Sequence, residues 1–321
     1  MPDFIRHAYD LAGGERIDDP ARLAALLRDP APAWVHMQAD DPEATAWIAT
    51  HLDYLPERVR DALTAATTRP RALRVGDGVL LILRGVNTNP GAEPEDLVSL
   101  RLWVEEARIV SLSIRELATI GELAADLEVG RGPADAQELL GEVIDGLSDG
   151  LSDYIDALDL EGDDLEKTIL ERADPALRLR VSDIRGELVD LKQFLAPQRE
   201  ALAKLAAMHL PFCGEDAQLR IAEAVETTNR TFETAESLRD RLVVLKDELG
   251  AALNERLNRN LYRLSMISAV FLPLGVLTGL MGINVAGMPG ENWPPAFWIF
   301  TGLLVAIAIL QVLILRRMNW L

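Results

Sequence analysis

Leu264-Ser265-Met266-Ile267-Ser268-Ala269-Val270-Phe271-Leu272-Pro273-Leu274-Gly275-Val276-Leu277-Thr278-Gly279-Leu280-Met281 contains no charged residue. A second run, from Pro295 to Leu315, contains none either, and its polar atoms are limited to Thr301, Gln311 and an indole nitrogen. A helix needs roughly 20 apolar residues to cross ~30 Å of hydrocarbon, and both runs are close to that length. A helix buried in a soluble core would rarely be apolar on every face over such a distance. The two runs therefore predict two transmembrane helices. The loop between them begins Gly282-Ile283-Asn284 and continues through Met288-Pro289-Gly290.

The flanks give an orientation. Arg256, Arg259 and Arg263 precede the first run, and Arg316 and Arg317 follow the second. The loop from Gly282 to Pro294 carries only Glu291. Positive flanks stay on the cytoplasmic side, which predicts a multi-pass protein of the inner (cytoplasmic) membrane with both termini inside and a periplasmic loop. Trp293, Trp298 and Trp320 fall near the expected interfaces, where an indole is half wet. The opening Met1-Pro2-Asp3 has no basic, apolar-cored leader, so no cleaved signal peptide is expected.

What precedes the spans is large and acidic. The chain counts 51 Asp+Glu against 32 Lys+Arg; without Glu291, Arg316 and Arg317 this becomes 50 against 30, a net of −20. Such a surface argues against a nucleic-acid partner, because phosphate binding needs the opposite sign. It suits a protein that attracts cations, although each carboxylate taken singly reads as ordinary solubility charge. The single cysteine, Cys213, excludes an intramolecular disulfide and fits a reducing cytosol. No P-loop, Gly-x-Ser-x-Gly elbow, His-Glu-x-x-His or dinucleotide fingerprint is present, so the chain does not read as an enzyme.

The pattern divides the chain into a cytoplasmic α/β domain (1–131), a helical hairpin region (132–215), a stalk helix (216–263), the first span with its Gly-Ile-Asn (264–284), the loop (285–294) and the second span with a basic tail (295–321). Ala33 to Gln38 reads as a strand, followed by a helix capped by Asp41, with Pro42 in its first turn and Ala46, Trp47 and Leu52 on its apolar face. Gly76-Asp77-Gly78 supplies the turn of a hairpin over Leu73 to Val86, and a second hairpin spans Leu97 to Ser113. Beyond about Pro133 the period becomes helical, with a break or kink at Pro175, an end at Pro197, a further helix from about Gln198 to Leu210 and another break at Pro211 to Gly214. From Asp216 no proline occurs until Pro273, which predicts a helix of some 55 residues, ~80 Å long, running into the first span. That length suggests a stalk packed against copies of itself.

Asn284 offers a hard, neutral amide oxygen to a hydrated cation. One such group is a poor site, whereas a ring of them around a symmetry axis makes a collar of many oxygens. The segment Thr278-Gly279-Leu280-Met281-Gly282-Ile283-Asn284, together with Phe271-Leu272-Pro273-Leu274, Met288-Pro289 and the closing Arg316-Arg317 and Trp320-Leu321, resembles the CorA family of divalent-cation transporters, and more closely its ZntB-like zinc-transporting branch. The resemblance is strong over about Asp247 to Leu321 and one of layout before that. Ile283 and Met281 stand where the family's usual signature has Met and an aromatic residue, and the Ile form looks like the ZntB-like branch.

The resemblance implies a CorA-like, funnel-shaped homopentamer whose first span lines a pore, in a lipid bilayer, with divalent cations as cargo and no cofactor. Carried over by position, it implies ion entry and selectivity at Gly282, Ile283, Asn284 and Glu291. It implies a polar inner mouth at Asn258, a gate at Leu261 and Leu264, a continuing lining at Ser268, Leu272 and Gly275, and an acidic ring at Asp247. Ordinary helix packing or solvation is the competing reading at each.

Zinc is implied by the resemblance rather than by ligand chemistry. Imidazole and thiolate hold Zn²⁺ best, yet His7, His36, His51 and His209 all precede Cys213, and the pore segment has neither group. No fixed ligand set is expected, and zinc would pass largely hydrated. His209 and Cys213 have i, i+4 spacing, but Pro211 and Gly214 break the helix that would bring them together. Magnesium or another divalent ion is the alternative cargo, and a non-conducting membrane scaffold the alternative class. Proton coupling, also implied, finds no Asp, Glu, His or Lys within either span.

Overall fold

The computed structural model describes residues 1–283 and 293–317. It divides into two units, Met1–Lys246 and Asp247–Leu321, and the dividing point falls inside one helix.

The N-terminal unit is built on seven strands: β1 (Ile5–Asp10), β2 (Glu15–Arg16), β3 (Ala33–Gln38), β4 (Arg71–Val75), β5 (Gly78–Gly85), β6 (Val98–Val104) and β7 (Arg108–Ser113). Their order is β2-β1-β3-β7-β6-β5-β4, with β3 and β7 parallel and every other pair antiparallel. Both hairpins predicted from the sequence form. Helices α1 (Pro20–Leu26), α2 (Pro42–His51) and α3 (Glu57–Thr64) cover one face of the sheet, where Trp47, Ile48, Val59 and Leu63 meet Val35, Met37, Leu80 and Trp103. On the other face, α4 (Ala118–Glu128), α5 (Ala136–Glu171), α6 (Leu177–Ala207) and the start of α7 (Glu215–Met281) pack on Leu81, Leu83, Leu100 and Leu102. Cover on both faces is why β6 is buried at every position rather than alternating.

Local chemistry sets several boundaries. Asp41 caps α2 by accepting from the Glu43 amide at 2.7 Å, with Pro42 at the first position. The face α2 buries is Ala44, Trp47 and Ile48, continuing to Leu52; Ala46 points outward, so the expected apolar face is corrected by half a turn at its first member. Asp135 caps α5 by accepting from the Gln137 and Glu138 amides, both at 2.9 Å. Chain between Glu171 and Leu177 separates α5 from α6 around Pro175, as the sequence suggests.

Pro197, by contrast, does not end a helix: α6 runs through it to Ala207. Proline removes one backbone hydrogen bond there. The loss is offset by the next residue, Gln198, which is 1% exposed and whose Oε1 accepts from the Arg84 amide at 2.7 Å while its Nε2 donates to the Arg84 carbonyl at 3.1 Å. The side-chain amide thus satisfies the end of β5 beyond the reach of β4, which pairs β5 only as far as Ile82. Burial of Ala201, Leu202 and Leu205 holds the helix beyond the proline.

Gly76 supplies the left-handed backbone of the β4–β5 turn, at φ 64°. Gly78 serves a different purpose. A Cβ there would lie 2.4 Å from Cζ2 of Trp103, a side chain only 2% exposed. Gly78→Ala should therefore destabilise the domain by ~1–3 kcal/mol, the usual cost of overpacking a filled core. A thermal midpoint equal to the parent's would show that Trp103 moves freely.

His36 on β3 is 1% exposed and sits between two hydroxyls of β7, with Nδ1 2.9 Å from Ser111 Oγ and Nε2 3.1 Å from Ser113 Oγ. Burial first, and then the nearby His7 and Arg6, hold it well below the usual histidine range. His7 is also lowered, by burial and then by Arg16 and Arg6. Because both values are depressed on folding, the unfolded chain binds more protons below its own histidine pKa of about 6.5. Stability should thus decline as pH falls through that value, by up to ~1.4 kcal/mol per pH unit for each proton taken up. His36→Gln should flatten the profile of unfolding midpoint between pH 7 and 5; an unchanged slope would locate the proton uptake elsewhere.

Candidate cation pathway

The C-terminal unit contains the last part of α7 and α8 (Ala296–Arg317). Both helices are long and apolar enough to cross a membrane. α7 is 67 residues, ~100 Å at 1.5 Å per residue, and Pro273 lies within it. Two hydroxyls in the apolar stretches bond to the backbone of their own helix: Thr278 Oγ1 donates to the carbonyls of Leu274 and Gly275 at 2.9 and 3.1 Å, and Thr301 Oγ1 on α8 donates to the Phe297 carbonyl at 2.8 Å. The Gly282 amide donates to the carbonyls of Thr278 and Gly279 at 3.0 and 3.1 Å, which closes the helix at Met281.

At ~100° per residue, Asp247, Asn258, Leu261, Leu264, Ser268, Leu272 and Gly275 fall within about 120° of arc on α7. All seven are exposed, with Leu261 at 51%, Leu264 at 60% and Leu272 at 69%. From Asn258 to Gly275 this stripe extends ~26 Å along the helix. Roughly half a turn away runs the covered side: Met266 is 8% exposed, and Val270, Pro273, Leu274 and Leu277 are half-buried. α8 has a matching stripe through Ala296, Phe300, Leu304, Ile307, Gln311 and Leu315. The half-buried stripe of α7 therefore lies on the side away from the predicted lining. Gln311, the most polar side chain of α8 ahead of its terminal arginines, lies on the covered stripe and not on the outer one.

Gly282 and Ile283 are exposed just past the end of α7, while Asn284 and Glu291 lie outside the described residues. Arg316 and Arg317 fall in the last turn of α8. The brace at Thr278 was not anticipated from the sequence; the available signal was a threonine four residues beyond Leu274 in an otherwise apolar run.

His209 and Cys213 lie in the non-helical connection between α6 and α7, and burial raises the Cys213 thiol. Among the described residues no group of three or more His, Cys, Asp or Glu could hold a metal ion. The α7 stripe thus presents leucine, serine and amide groups, with a carboxylate at Asp247 and neither imidazole nor thiolate.

Residues 30–317 match the profile of the family described as CorA-like Mg²⁺ transporter protein. The zinc transport protein ZntB of Yersinia enterocolitica is 36% identical over 315 residues, covering 98% of this chain and 95% of that protein. The divalent cation transporter CmaX of Pseudomonas aeruginosa is 36% identical over 319 residues, covering 96% and 93%. The structure of full-length CmaX superposes with a TM-score of 0.81 at 34% identity, covering 99% of this chain and 98% of that one. The CorA magnesium transporter of Methanocaldococcus jannaschii shares the fold, with a TM-score of 0.74 at 19% identity over 90% of this chain and 92% of that one. With an α/β domain, a helix that enters an apolar pair, and full-length similarity of this kind, the chain belongs to the CorA-like transporter family.

Proposed function

We propose that this protein carries divalent metal cations across the inner membrane, zinc in preference to magnesium, through a pore formed by five copies of the chain. The observation that carries this reading is the exposed stripe of α7, which lies opposite the half-buried side of the same helix. A stripe of that composition facing lipid would leave the amide of Asn258 and the hydroxyl of Ser268 without a use. Facing a symmetry axis, it becomes a set of rings. The relatives named for zinc and for divalent-cation transport support the choice of cargo.

In this reading the outer mouth is formed by Gly282, Ile283 and Asn284, with Glu291 adding a mild acidic field. Each Asn284 carbonyl accepts hydrogen bonds from the water shell of an arriving ion. The ion then passes Gly275, Leu272 and Ser268 to the leucine rings at Leu264 and Leu261, which close the path by excluding water. Asn258 and Asp247 follow on the cytoplasmic side, where both termini lie. Because this path holds no imidazole or thiolate, the ion keeps most of its water. A coupled proton would have to use Glu291, carboxylates outside the spans, or hydroxide in the metal's own hydration shell.

Uptake into proteoliposomes, comparing Zn²⁺ with Mg²⁺ under a pH gradient of either sign, tests the cargo and the coupling. Mass measurement in mild detergent on the same preparation should give a pentamer. A stable monomer or dimer that transports zinc at full rate would sink the pore, since one α7 encloses no path.

A further inference from the structure

A polar cleft of about 630 Å³ opens in the N-terminal unit between β5 and β6, the segment joining α3 to β4, and α6. Three arginines line it: Arg84 near the end of β5, Arg101 on β6, and Arg115 just beyond β7. Arg101 is 1% exposed, which is rare for a charged side chain. Its Nη1 and Nη2 donate to the carbonyls of Leu63 and Ala65 at 3.3 and 2.8 Å, at the C-terminal end of α3, while its Nε is buried with no partner. Arg84 donates from Nη1 to the Leu97 carbonyl at 2.7 Å and from Nη2 to the Thr68 carbonyl at 2.8 Å, and its Nε too is buried with no partner. The Arg84 guanidinium lies 4.2 Å from the centre of the Phe194 ring on α6.

Carbonyl dipoles hold these guanidiniums in place but cancel no whole charge. Among the described residues none of the three arginines forms an ion pair with a carboxylate. A buried cation without a counter-charge is costly, and two side by side are worse. Burial lowers the pKa of both Arg84 and Arg101, and Arg84 lowers that of Arg101 further, while the Asp40 carboxylate offsets part of this without forming an ion pair. The hydroxyls of Thr67, Thr68 and Ser99 add neutral groups to the same wall. Glu95, Asp96 and Asp190 also border the cleft, and Glu95 accepts from the Tyr154 hydroxyl at 3.3 Å. These carboxylates limit how much negative charge an occupant brings, which favours a compact anion over an extended polyanion.

We infer that this cleft binds a small oxyanion, inorganic phosphate or a phosphate monoester, through Arg84, Arg101 and Arg115. A guanidinium has five N–H donors, and Arg84 and Arg101 each use two on carbonyls, so donors remain for a phosphate that fits the guanidinium fork. The occupant supplies the charge the arginines lack and ties the sheet to α6. This site is independent of the pore reading, since it lies wholly within the N-terminal unit and needs no second copy.

Calorimetric titration of the full chain in mild detergent tests it, with inorganic phosphate, a nucleoside monophosphate, and chloride at matched ionic strength. Saturable binding of phosphate or the monophosphate at one site per chain is expected, with none of chloride; the tighter of the two identifies the source. Arg84→Gln and Arg115→Gln should each weaken binding by about tenfold or more, the loss typical of a charge-assisted contact. Arg16→Gln, whose parent side chain pairs with Asp18 and Glu128 away from the cleft, should leave it unchanged. Arg115 is exposed, so its variant folds even if the loss of Arg84 disturbs the sheet, and circular dichroism checks this. No saturable heat in the millimolar range, or equal affinity in the Arg115→Gln chain, overturns the proposal.

Discussion

Initial-rate Zn²⁺ uptake by assemblies carrying Asn284→Ala should fall at least about tenfold below the parent. A charge-assisted hydrogen bond contributes ~1.5–3 kcal/mol, which is roughly 10- to 150-fold in rate if it acts at the transition state. The substitution removes the acceptor from every subunit at once, so capture of the hydrated ion should suffer even where each contact is weak. Asn284→Asp keeps the oxygens and adds a charge per subunit. It should lower the concentration for half-maximal uptake while slowing release, because conduction needs binding weak enough to leave. Both variants should assemble like the parent, since Asn284 follows the last residue of α7, Met281, in sequence. Intact Ala assemblies transporting at the parental rate would remove Asn284 from the mechanism.

The opposite result is expected at the other end of α7. Leu261→Asn or Leu264→Asn replaces a ring of apolar side chains with amides that hold water, and basal flux should rise. If the polar ring lowers the dewetting barrier by about 1.4 kcal/mol, the leak increases tenfold. Both side chains are more than half exposed in the single chain, so neither substitution opens a cavity within it. Leak measured without a metal gradient, beside saturable uptake, separates a faulty gate from a damaged entry. Parental leak in both variants would mean that α7 turns another face to the axis, and the next candidates would be residues about a third of a turn away.

What could be read from one dimension followed from local rules. The two apolar runs announce themselves because a span must be apolar on every side, and composition alone carries that information. The Gly76 turn, the Asp41 cap and the Ala33–Gln38 strand are each decided within a few residues. The same holds for the start and continuity of α7, since nothing between Asp216 and Pro273 interrupts a helix, although at 67 residues it runs through Pro273 and exceeds the roughly 55 expected.

Other features needed neighbours that are distant in sequence. β1 was not legible because its register shifts between Ile5 and His7, which breaks the alternation that marks a strand. α4 carries Ile120, Leu123, Ala124 and Leu127 at helical spacing, yet lies ahead of the point where the sequence pattern turns plainly helical. Pro197 reads as a stop until Gln198 is seen hydrogen-bonded to the backbone of Arg84, 114 residues away. The parallel pairing of β3 with β7 joins segments about 75 residues apart and leaves no local trace.

At the pathway the division is the same. Sequence alone determined that two helices have the length and apolarity to cross a membrane, that Asn258 and Ser268 break the apolar character of the first helical face, and that no imidazole or thiolate lies along it. Only the tertiary structure decided which side of α7 is withdrawn from the surface, because an all-apolar helix has no internal preference for one face. That choice is made by packing, where Met266 and Leu315 are nearly withdrawn from the surface and Leu264 and Leu272 are left open. In the N-terminal unit, likewise, the sequence supplied three arginines with nothing to link them, and the fold brought Arg84, Arg101 and Arg115 to one cleft.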